Sequence, residues 1–276
     1  MAIVRPFPLS VNECPAPNRS PRRVNRRVWW PSCVALVFFA VLALPTARAG
    51  ADPVQGANVY LNWGGGPSLA MVSTITVGRV APATFWATDW AWGGTGSGGY
   101  VGVQTDGFGP TGAIQDQVIF SAWGASAGQG PCQTFTEGGA GGWSCRLPMT
   151  VSSGSSYTFA ISPVDDLAST VWWRATMTGP NGTIDIGQLA LPAHTISDVS
   201  NFIEYFGQGS GCSTVAPASA TVTRPVLDLL SGTQSPRVPP APAYAACNAH
   251  ATALDATTGS LNLGIPRAGP SAPPTR

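Results

Sequence analysis

At 276 residues, with 33 Gly, 26 Pro and no Lys, the chain has no stretch with a helical period, and its short alternating runs point to an all-β domain. Its formal charge of +1 is uneven: the first 49 residues hold 7 of the 14 Arg and one of the 13 acids, which leaves residues 50–276 at −5. That acidic balance excludes nucleic acid and anionic membrane as natural partners.

The N-terminal segment reads as an export signal. Arg22, Arg23, Arg26 and Arg27 precede the apolar run "VALVFFAVLAL" (34–44), and Ala47-Arg48-Ala49 forms a small-x-small cleavage site. The run of 11 residues is too short for a membrane span, which needs about 20. Residues 1–49 are therefore expected to be a cleaved signal peptide, delivering a protein without a membrane span to the extracellular space or cell envelope. "NRRVWW" (25–30) fits a twin-arginine pattern, and the ordinary secretory route fits as well.

Strands are expected at 58–63, 71–77, 84–90, 100–105, 117–123, 156–162, 170–178, 183–189 and 201–206, with a weaker one at 219–224. Two are especially legible. Tyr157, Phe159 and Ile161 alternate with polar or small residues, and so do Val171, Trp173, Ala175 and Met177. Asn181-Gly182 between two of these runs suits a hairpin. About ten such strands close most naturally as a two-sheet antiparallel β-sandwich, jelly-roll-like in outline, over residues 50–224. Residues 225–266 read as a Pro-rich loop and C-terminal extension tied by a disulfide, and 267–276 as a disordered tail. Beyond the signal segment the cysteines are Cys132, Cys145, Cys212 and Cys247, an even set in an exported chain. Of three pairings, Cys132–Cys145 and Cys212–Cys247 are favoured, each closing a Gly- or Pro-rich loop. No metal-ligand spacing or cofactor motif is present.

"YVGVQT" (100–105) suggests a binding face. With Val101, Val103 and Phe120 turned inward, the opposite face collects Trp86, Trp90, Tyr100, Gln104, Ser121 and Trp123, and Gly102 leaves a hollow among them. Aromatic rings beside amide and hydroxyl groups suit a sugar. Glu137 opens a Gly-rich stretch, "EGGAGG" (137–142), inside the Cys132–Cys145 ring. Ordinary core packing of the same aromatics is the competing interpretation.

"NVYLNW" (58–63), "YVGVQT", "VIFSAW" (118–123), "EGGAGG", "SYTF" (156–159) and "IGQLALP" (186–192), in that order, resemble the domain of unknown function 3472 family. The resemblance spans residues 57–224 and implies an exported β-sandwich associated with carbohydrate. It carries over Tyr100, Gln104, Ser121, Trp123 and Glu137 as motif positions and assigns none of them a catalytic role.

Three functions stay open: non-catalytic binding of a polysaccharide or cell-envelope glycan, glycan cleavage by a carboxylate pair, and a structural or adhesive role in the envelope. For cleavage the candidate acids are Asp89, Asp106, Asp116, Glu137 and Glu204. Alternation turns Asp89 away from the aromatic face and aligns Asp106 with Tyr100 and Gln104, so Asp106 with Glu137 is the expected pair.

Overall fold

The computed structural model describes residues 57–264, apart from 94, 110, 138, 168, 193–194, 208–211, 230–231 and 235–246. The expected signal peptide, residues 235–246 of the Pro-rich loop, and the C-terminal tail lie outside the described residues.

The strands are, first, β1 (Ala57–Gly64), β2 (Ser68–Arg79), β3 (Thr84–Trp92), β4 (Gly98–Phe108), β5 (Ile114–Trp123) and β6 (Ala127–Gln129). Next come β7 (Cys132–Glu137), β8 (Ala140–Pro148), β9 (Ser156–Leu167), β10 (Thr170–Gly179), β11 (Gly182–Leu191) and β12 (Ile196–Tyr205). Last are β13 (Ala218–Thr223), β14 (Val226–Leu229), β15 (Gly232–Gln234), β16 (His250–Ala253) and β17 (Thr258–Leu263). All pairings are antiparallel and fall into two layers. One runs β1-β12-β3-β4-β5-β8-β7. The other runs β6-β11-β10-β9-β2, and the far edge of β2 is shared by β14 and β13. Beyond these lie β15, then β17 and β16. One bridge, Ile196 to Ser68, joins the layers.

The all-β expectation is met, and the legible strands behave as their alternation requires. Tyr157, Phe159, Ile161, Val171, Trp173, Ala175 and Met177 are all buried. From the first layer Val101, Val103, Val118 and Phe120 meet them in one continuous core. Each fully buried large apolar side chain contributes about 1.5–3 kcal/mol. A polar cluster sits inside this core. Trp63 Nε1 donates to Asn201 Oδ1 at 2.7 Å, while Asn201 Nδ2 donates to Thr88 Oγ1 at 2.7 Å and Ser73 Oγ at 3.2 Å. These residues come from β1, β12, β3 and β2, so the cluster ties the two layers together with its polar groups paired.

Trp86 and Trp90, expected on the binding face, are core residues only 0% and 3% exposed. Trp90 packs edge-on to Trp92 at 5.4 Å, and Trp92 meets Trp173 of the opposite layer at 4.9 Å. The register explains the inversion: Trp86 lies opposite Val103, while Asp89 lies opposite Tyr100. Both faces of β3 are apolar, since Phe85 and Ala87 form a second small cluster with Ile119 and Phe202. Alternation therefore gives no phase for this strand.

Cys132–Glu137 and Ala140–Pro148 pair as the β7 and β8 strands of a hairpin where an open Gly-rich loop was expected. Cys132 is directly opposite Cys145, and these two are disulfide-bonded, as are Cys212 and Cys247. The expected extension after residue 225 also contributes strands: β14 pairs with β2, and β17 pairs with β13. Among the described residues no helix is long and apolar enough to cross a membrane.

Candidate functional site

The face of the first layer turned away from the shared core is patterned across its strands. Residues paired in an antiparallel sheet point to the same side, so Tyr60 lies beside Phe202, Phe202 beside Ala87, and Asp89 beside both Ser200 and Tyr100. Phe85 is flanked by Glu204 on β12 and Gln104 on β4. Further along, Tyr100 lies beside Ser121, which lies beside Ser144, and Ile119 beside Arg146.

Six rings run across this face as a stripe. Tyr60 stacks on Phe202 at 5.0 Å, Phe202 meets Phe85 at 5.5 Å, and Phe85 meets Tyr100 at 5.5 Å. Tyr100 then meets Trp123 at 5.2 Å, and Trp123 meets Phe135 at 6.0 Å. Strand spacing of about 4.8 Å sets this rhythm, with one ring from each strand of the layer except β8, which places Gly142 between Trp123 and Phe135. The stripe floors a cleft of about 390 Å³, also lined by Asp89, Gln104, Glu137, Arg146 and Glu204.

Three carboxyls thus face one cleft. Burial, reinforced by the negative charge of Glu137, pushes Glu204 up to about 7. Burial pushes Asp89 up to about 7 as well, against hydrogen bonding from its own backbone and from Ser200. One Asp89 oxygen, Oδ1, has no hydrogen-bond partner. Tyr100, buried beside Glu137, is shifted upward; its hydroxyl donates to Glu137 Oε2 at 3.3 Å.

Gln104 is an oriented amide. Gln117 Nε2 donates to its Oε1 at 2.8 Å, which leaves the Gln104 Nε2 as the donor end. Across Phe85 its partner in register is Glu204, two strand spacings or about 10 Å away between backbones, and both residues line the cleft. Arg146 is held in place, with Nε donating to Ser144 Oγ at 2.9 Å and Nη1 to the Phe108 carbonyl at 2.7 Å.

Of the residues expected at a site, Tyr100, Gln104, Trp123 and Glu137 line the cleft together. Ser121 is fully buried beneath them, donating to Ser144 Oγ at 2.8 Å. Asp106 is absent from the lining: it sits at a β-bulge with φ 52°, and its Oδ2 accepts from the Ala83 amide at 3.1 Å. The expected Asp106–Glu137 pair does not form across the cleft, because the bulge takes Asp106 out of the alternation set by Tyr100 and Gln104. Gly102 does not leave a hollow; a Cβ there would lie 2.6 Å from the Ala87 Cβ, so this glycine serves close strand approach. Asp89, expected to face away, lies in the cleft. Phe85, Phe202, Tyr60 and Arg146 escaped notice in the sequence, although Glu204 amid the apolar "NFIEYF" was a usable signal.

No family model matches the chain, and no curated protein matches it. Among solved structures it is similar to scytalido-glutamic peptidase in complex with a peptide-based transition state analog, at 12% identity and a TM-score of 0.39, covering 75% of this chain and 97% of that one. A second structure of that peptidase, with a transition state analog inhibitor, matches at 10% identity and a TM-score of 0.38 with the same coverage. At that level of likeness, the chemistry of the cleft rests on the residues of this chain alone.

Proposed function

We propose that this chain is an exported hydrolase that cleaves an acyl bond, amide or ester, in an extended chain lying over the aromatic stripe. The observation that carries the proposal is the pairing of Glu204, raised to about 7, with the oriented Gln104 amide on either side of Phe85. A carboxyl with a pKa near the working pH both accepts and returns a proton efficiently. Glu204 takes a proton from water as the water oxygen bonds to the substrate carbonyl carbon. Gln104 Nε2 donates to the oxygen that becomes negative, and Glu204 then hands the proton to the departing amine or alcohol. The cleft supplies the partly dry surroundings in which such a donor counts most. The two disulfides fit an oxidising compartment outside the cytoplasm.

The test is turnover of blocked peptides and their ester analogues by the purified protein. Gln104→Ala should lower kcat by about 10²–10³ with little change in KM. Absence of turnover on every amide and ester, or full activity in Gln104→Ala, would sink the proposal.

The six-ring stripe favours a second reading, recognition of a polysaccharide or cell-envelope glycan without cleavage, since sugar rings stack on such surfaces. Under that reading Trp123→Ala abolishes glycan binding and Glu204→Gln leaves the glycan intact and bound.

A further inference from the structure

Beyond the cleft, Trp123 and Glu137 also wall a second, more open recess of about 410 Å³, whose remaining lining is Gly96, Ser97, Gly98 and Ala140. The floor is small and uncharged. Its two large groups are an indole ring and a carboxylate, and that carboxylate accepts from the Tyr100 hydroxyl but has no cation paired with it. Among the described residues the ion pair found within 4.0 Å is Arg174–Asp185, and Glu137 has none. The nearby cation of the cleft, Arg146, has its guanidinium committed to Ser144 and the Phe108 carbonyl. Glu137 sits at the end of β7, opposite Ala140 across the β7–β8 hairpin, and both residues line the recess, Glu137 with its side chain exposed.

We propose that this recess is a subsite for a basic side chain, lysine or arginine, of the chain bound in the cleft. The alkyl stem lies over the glycines and Ala140, and the cationic head meets the Glu137 carboxylate beside the Trp123 ring. Cation–π attraction and a charge-assisted hydrogen bond act on the same head group. The cation also offsets the negative field that Glu137 casts on Glu204 and Tyr100, which links occupancy of the recess to the protonation of Glu204. The proposal rests on the hydrolase reading for its substrate, and binding alone tests it.

The experiment titrates the full-length Glu204→Gln protein with a blocked pentapeptide, Ala-Ala-Lys-Ala-Ala, and with the same peptide carrying Nζ-acetyl-lysine. The lysine peptide should bind about tenfold more tightly. Adding Ala140→Trp, which fills the recess, should bring the lysine peptide to the affinity of the acetylated one and leave the latter unchanged. Adding Glu137→Gln should likewise abolish the preference. Equal affinities in the starting protein, no binding of either peptide, or a preference that survives Ala140→Trp would overturn the proposal. Cleavage by the parent protein is scored separately. A lysine preference without turnover refutes the hydrolase and leaves the recess standing.

Discussion

Replacing Glu204 by Gln should make the protein more stable in mild alkali. The Glu204 carboxyl is raised from the usual 4.5 to about 7, chiefly by burial. Between those values the folded state holds a proton that the unfolded chain has released, so stability falls as pH rises through this window, and the loss persists above it. The rise from 4.5 to about 7 corresponds to at most about 3 kcal/mol. Because the side chain keeps some solvent contact, about 2 kcal/mol is the expected effect. Glutamine has nearly the shape of protonated glutamate and cannot ionise. Glu204→Gln should therefore match the parent in urea unfolding near about pH 4, where both side chains are neutral, and exceed it by about 2 kcal/mol near about pH 8. Disulfides are kept intact in both proteins, and the m-value serves as the check on two-state behaviour. Under the proposed hydrolysis, the same variant should lose about 10²–10⁴ in kcat on the acyl substrate. A stability difference that is absent near about pH 8, or equal at both pH values, would refute the burial argument, because only the ionised carboxylate carries the penalty.

Asn201→Leu should destabilise the fold by about 3 kcal/mol, since it strands the Trp63 indole N–H and removes both donors to Thr88 and Ser73; chemical unfolding reads this directly. Replacing both Cys132 and Cys145 by Ser should cost about 3 kcal/mol, measured against the parent with the Cys212–Cys247 bridge intact in each.

Much of the architecture can be read where one face of a strand is apolar and the other is not. Tyr157, Phe159 and Ile161 in β9 declare their face, and so do Val101 and Val103 in β4 and Phe120 in β5, opposite which Tyr100, Gln104 and Trp123 line the cleft. Strand β3 carries no such contrast between its faces. Its Trp residues fill the main core, while Phe85 and Ala87 pack under the cleft, so hydrophobicity is high on both sides and the phase comes from pairing alone. That one inversion hid Asp89 from the cleft and put two core tryptophans in it. Glu204 stands among the candidate acids, but its place in the same cleft as Gln104 depends on β12 lying beside β3, and strand order leaves no trace in a local pattern. The β7–β8 hairpin was obscured by its glycines, which read as loop until cross-strand pairing around Cys132 and Cys145 supplies a reason for them.

The placement of β12 between β1 and β3 means that two strands from the start of the domain are joined by one made more than a hundred residues later. Until that segment is in place, β1 and β3 each present a bare edge toward it, open to pairing with other chains. Its arrival closes the sheet, seats Asn201 between the layers and delivers Glu204 to the cleft in a single event. A chain cut short before Ile196 would lack both residues and keep those edges bare, so it should aggregate more readily than the whole protein.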